Sequence, residues 1–108
     1  MENKRTDLAE KMEVIGQVFE IDGMSELLGK FEKGMSPVKF SAVVIQVSGL
    51  LLKTNKGCAD KIISMYKEIS LEDVQKLDDG EYGNYLKNAI ITDVMGFFGS
   101  SQRSDGKQ

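Results

Sequence analysis

The chain has no histidine and no tryptophan, and only one proline and one cysteine among 108 residues. Without an imidazole there is no histidine base, no histidine metal ligand and no switch near neutral pH, which removes the familiar triad hydrolases and zinc sites. Cys58, alone, has no internal disulfide partner. Positive charge is short as well: 14 Lys and Arg face 17 Asp and Glu, for a net charge of -3 and a pI near 5.0. No basic field gathers phosphates at that balance, so nucleic acid is not expected as the main partner. Long apolar runs are missing too. Phe40 to Leu52 carries Ser41, Gln46 and Ser48 and is shorter than the roughly 20 residues that cross a bilayer. It reads as core, and no membrane partner is expected. Met1 is followed by Glu2, Asn3, Lys4 and Arg5 rather than by an apolar signal stretch, so the expected compartment is the cytosol.

What is present suits one domain with a modest core, at 41% hydrophobic and 29% charged residues. Apolar positions recur at helical spacing. Leu8, Met12, Ile15 and Phe19, widened by Val14, Val18 and Ile21, predict a first amphipathic helix with Thr6 as N-cap and Asp7 in its first turn. Asp22 and Gly23 interrupt it. Met24, Leu27, Leu28 and Phe31 then predict a short second helix closed by Gly34. Ser36 and Pro37 are the clearest start signal, a capping oxygen followed by a residue whose fixed φ suits the first turn.

The third helix should carry Phe40, Val43, Val44, Val47, Leu50 and Leu51 on one side and Ala42, Ile45, Gly49 and Leu52 on much of the rest. A helix apolar nearly all round is expected at the centre. Lys53 to Gly57 should end it. A fourth helix bears Ala59, Ile62, Ile63 and Tyr66, and a fifth starts at Ser70, an approximate capping box with Asp73. After an Asp78, Asp79, Gly80 turn, the last helix should run from Tyr82 to Phe98, with Leu86, Ile90, Val94 and Phe97 on one stripe and Ala89, Ile91, Met95 and Phe98 beside it. The expectation is an all-α, single irregular bundle of about five or six helices over residues 1–98, with a mobile polar tail over 99–108.

Candidate chemistries fail on residue type. Ser36 to Lys39 and Ser64 to Lys67 match Ser-x-x-Lys without its companion motifs. The EF-hand pattern fails because the twelfth position is Leu86 or Gly29 where Glu belongs. Gly29 to Gly34 has phosphate-loop spacing, but Met35 and Ser36 follow in place of Lys and Ser or Thr. Cys58 lies near Lys56 and Lys61 at a helix start that would favour thiolate, and an incidental, partly buried thiol is the plainer reading. Asp78, Asp79 and Glu81 around Gly80 are ordinary turn chemistry. Helices four and five would mimic a helix-turn-helix only by offering Glu72, Asp73 and Asp78 to a phosphate backbone. No catalytic, metal or cofactor set remains.

Surface for another protein is what is left. Six methionines are many for this length, and Met24, Met35, Met65 and Met95 suit either an adaptable groove or gap-filling in a core. Phe97 and Phe98 diverge by about 100 degrees on a helix, so both are buried only if the helix end is enclosed or a partner covers one. Met35, Met95, Phe97 and Phe98 are therefore the candidate partner-binding residues.

An acidic, all-helical chain that ends in Asp93, Val94, Met95, Gly96, Phe97 and Phe98 and then a polar tail resembles the tail assembly chaperones of long-tailed bacteriophages over Ser36 to Phe98. The resemblance implies a non-enzymatic protein of the infected cell's cytoplasm that coats the tape-measure protein, helps recruit tail-tube subunits and is absent from the finished virion. It also implies that a longer form is often made by ribosomal frameshifting, and Gly96, Phe97 and Phe98 can be encoded by a slippery run of T. The same residues fit a second class, a small helical adaptor, inhibitor or immunity-type protein with one protein partner. Homo-oligomerisation suits a small bundle with this much apolar residue to share.

Overall fold

The computed structural model describes residues 4–96. The fold is all-α, and among the described residues there are six α-helices: α1 (Lys4–Phe19), α2 (Met24–Leu28), α3 (Pro37–Thr54), α4 (Lys56–Lys67), α5 (Leu71–Gln75) and α6 (Asp79–Ala89). A π-helical turn, Ile90–Val94, continues α6. Phe97, Phe98 and the expected polar tail lie outside the described residues.

Caps and turns set most of the boundaries. Ser36 Oγ accepts from the Lys39 amide with Pro37 at the first position of α3, as expected. α1 is already helical at Lys4, the first described residue, so Thr6 lies within the helix instead of capping it. α2 closes at Gly29, short of the expected Gly34, and Gly34 serves the loop that follows with φ 80°. Gly23 enters α2 with φ 87°, a conformation that favours glycine. α3 continues to Thr54, and Asn55 ends it while capping α4 through the Cys58 amide at 3.1 Å. Gly57 is thus a first-turn residue of α4 and not the terminator of α3.

Ser70 accepts from the Asp73 amide at 3.0 Å and starts α5. α6 begins at Asp79, three residues ahead of the expected Tyr82. Asp78 accepts from the Glu81 amide at 2.8 Å, and the Glu81 carboxylate accepts from the Asp78 amide at 3.4 Å. This reciprocal box recruits Gly80 into the helix, where turn chemistry had been expected.

The core is continuous. α4 holds its centre, packed against α1, α3, α5 and α6, and buries Cys58, Ala59, Ile62 and Ile63. Val14, Ile15 and Val18 come from α1, Met24 and Leu28 from α2, Val74 from α5, and Leu86 and Ala89 from α6. In an unbroken α-helix, Leu86 and Val94 would diverge by about 80 degrees. The wider π turn, in which the Met95 amide bonds back to Ile90 O, offsets that drift, and Leu86, Ile90 and Val94 are all buried.

α3 departs from expectation. It is not buried all round: Val43, Val44, Val47 and Leu51 face inward, while Val38 is 78% exposed, Ile45 54% and Leu52 38%. At 18 residues and a mean hydropathy of 1.2, α3 is long and apolar enough, by length and composition, to cross a membrane. The length exceeds the Phe40 to Leu52 run because caps extend the helix at both ends. Its excess apolarity sits on the outer face.

Candidate functional site

The outer face of α3 is a regular seam. Val38, Ala42, Ile45, Gly49 and Leu52 are all exposed, and their spacing of four, three, four and three residues is the heptad rhythm of a helix that meets another helix. The inner residues Val43, Val47 and Leu51 join the core, and Val44 is buried beside them. The helix therefore carries two apolar faces, and the fold uses one.

A groove of about 540 Å³ runs between this face and α6. Ile45, Gly49 and Leu52 line it from α3, and Gly80, Gly83 and Leu86 from α6. Among the described residues, a Cβ placed on Gly49 or Gly83 would meet nothing within 4 Å. Asp79, Asn84 and Lys87 make the polar rim. On the other side of α3, a pocket next to its N-terminus is lined by Lys30, Lys33 and Lys39, with Met35 and Ala42 beside them. Ala42 belongs to the seam as well, so the two concavities flank one continuous strip.

A polar cluster stands apart from that strip and ties three helices together. Asp60 of α4 is only 8% exposed and accepts hydrogen bonds from the Tyr82 hydroxyl, from Gln75 Nε2 at 2.9 Å and from Lys56 Nζ at 3.0 Å. Burial by itself would raise the Asp60 carboxyl; the three donors, with the Lys56 charge, outweigh it and hold the group below its ordinary value. Burial and the Asp60 carboxylate push Tyr82 up. Every donor around Asp60 is matched, so the cluster is a brace joining α4, α5 and α6.

Cys58 is buried, and its Sγ lies 3.4 Å from Val14 O as a donor. Burial raises its thiol against the opposing pull of Lys61. The expected partly buried cysteine is in fact fully enclosed, and the helix-start thiolate does not form, because desolvation outweighs the nearby lysine. Asp78 and Glu81 spend their carboxylates on the α6 cap. Among the described residues no group of three or more His, Cys, Asp or Glu could hold a metal ion.

Of the candidate partner-binding residues, Met35 and Met95 are half-buried and pack against the core. Met35 Sδ also accepts from the Glu32 amide at 3.3 Å. Met24 is fully buried and Met65 packs on the core, so these methionines fill gaps. Phe97 and Phe98 lie outside the described residues. The strip on α3 was missed as a surface, although its signal, the alternating spacing of four and three, is in the sequence. No family model, no curated protein and no solved structure matches the chain.

Proposed function

We propose that this chain is a non-enzymatic holder of an apolar helical segment of another protein, working as a tail assembly chaperone whose client is the phage tape-measure protein. The observation that carries the reading is the second apolar face of α3, which the fold leaves exposed from Val38 to Leu52. A holder needs such a face, together with net charge to keep a loaded client soluble, and the chain has a charge of -3. The resemblance supplies the identity of the client, the role in recruiting tail-tube subunits, the host cytoplasm as the place of action and the absence from the finished virion.

Co-expression with the tape-measure protein, followed by size-exclusion chromatography with light scattering, tests the reading. Several copies on one soluble client are expected. A client left insoluble, with this chain eluting alone, would contradict it. A strict one-to-one complex with a different protein would move the chain to the adaptor class.

A further inference from the structure

We infer that the outer face of α3 is a seat for one acidic amphipathic helix of another protein, docked along Val38, Ala42, Ile45, Gly49 and Leu52. The seat is the site of the client-holding role proposed above, and it specifies the chemistry of the segment held.

Spacing indicates a helix as the occupant. Alternating steps of four and three residues keep a straight seam only against a second helix with the same repeat. From Val38 to Leu52 that seam is about 21 Å long. Bulky and small residues alternate along it, so an incoming helix finds ridges at Val38, Ile45 and Leu52 and room at Ala42 and Gly49. Gly83 opens the α6 side of the same groove. Among the described residues no atom crowds a Cβ placed on Gly49 or Gly83 within 4 Å, although glycine weakens a helix interior.

Charge selects the kind of helix. Lys39 and Lys53 directly follow Val38 and Leu52 along one edge of the seam, with Gln46 between them. Lys30 and Lys33 extend that edge through the adjoining pocket. None of these four lysines forms an ion pair among the described residues. The acids lining the two concavities are Glu32 and Asp79. A basic edge on an acidic chain fits glutamates and aspartates flanking the partner's apolar stripe. A second copy is disfavoured, because antiparallel α3 helices would set Lys39 opposite Lys53. A membrane surface is disfavoured too, since a narrow seam containing alanine and glycine inserts little apolar bulk.

The test titrates the full chain, by fluorescence anisotropy, with two synthetic three-heptad helices. They share leucine and alanine at the seam and carry either glutamate or lysine at the flanking positions. The glutamate helix should bind at least about tenfold more tightly, a preference that shrinks at about 0.5 M salt. Lys39→Glu with Lys53→Glu should abolish the preference. Ile45→Glu should abolish binding of both helices while leaving the thermal melt little changed, since Ile45 is 54% exposed and lies outside the core cluster.

Equal binding of the two helices, no binding of either, or binding that survives Ile45→Glu overturns the seat. So does a wild-type dimer that Ile45→Glu dissociates, or binding to phosphatidylserine vesicles in place of the glutamate helix. If the glutamate helix binds as expected and the tape-measure protein does not, the seat stands and the client identity falls. If Ile45→Glu holds the tape-measure protein as well as wild type does, the client stands and the seat falls.

Discussion

Asp60 has one local partner, Lys56 four residues earlier, but the other two, Gln75 and Tyr82, lie 15 and 22 residues away, and no local spacing in the sequence points to them. Removing the carboxylate takes an acceptor from three donors, one on each of α4, α5 and α6, of which the half-buried Tyr82 hydroxyl has the least access to water. Asp60→Ala should therefore cost about 2–3 kcal/mol in urea unfolding. The pH dependence follows from the two shifts. The Asp60 carboxyl is lowered on folding, so its contribution is complete above the unfolded value of 3.8 and is lost as pH falls below it. Tyr82 is raised, so its contribution is complete below its ordinary value of 10.0 and is lost as pH rises beyond that. Thermal melts should decline at both extremes, and Tyr82→Phe should flatten the alkaline limb. A smaller effect is expected at Glu68, which ends α4 at φ 59°. Glu68→Gly should stabilise the chain by about 0.5–1 kcal/mol, because a left-handed conformation costs glycine nothing.

At the scale of the element, α3 shows what a sequence discloses and what it hides. Its start was legible in Ser36 and Pro37, since capping is local chemistry that needs no partner. Its position was not. An apolar residue count over Val38 to Leu52 suits a buried central helix and a two-faced surface helix equally, and only the packing of α2, α4 and α6 on one side separates them. The same limit applied at Asp78 and Glu81, where two acids beside glycine read as a turn until their reciprocal bonds extended α6. Adjacent leucines provide the check. Leu51→Ala, fully buried, should cost about 2–5 kcal/mol, whereas Leu52→Ala, at 38% exposure, should cost about 1 kcal/mol. Comparable losses in chemical denaturation would mean that the outer face is not free. Gly49→Ala should stabilise the fold by about 1 kcal/mol, since open space lies above it.

At the scale of the molecule, the bundle closes its core without the outer face of α3, and that surplus is the basis of the functional account. All-α class and helix order followed from periodicity and caps. The candidate site followed less well: the sequence directed attention to methionines, but Met24 is buried and Met35, Met65 and Met95 are half-buried against the core, where a flexible thioether fills irregular gaps between short helices, while Met35 also lines the pocket beside the α3 seam. The useful signal was instead the alternation of bulky and small residues from Val38 to Leu52, readable as a surface only once α4 is seen to occupy the centre. The central claim, that this face holds a helical client, is tested most directly by co-expressing wild type and Ile45→Glu side by side with the tape-measure protein and measuring the mass of the soluble complex by light scattering. The account predicts a multi-copy complex with wild type and an insoluble client with Ile45→Glu, at equal thermal stability of the two forms of the chain. An equal complex with both, or with neither, would contradict it.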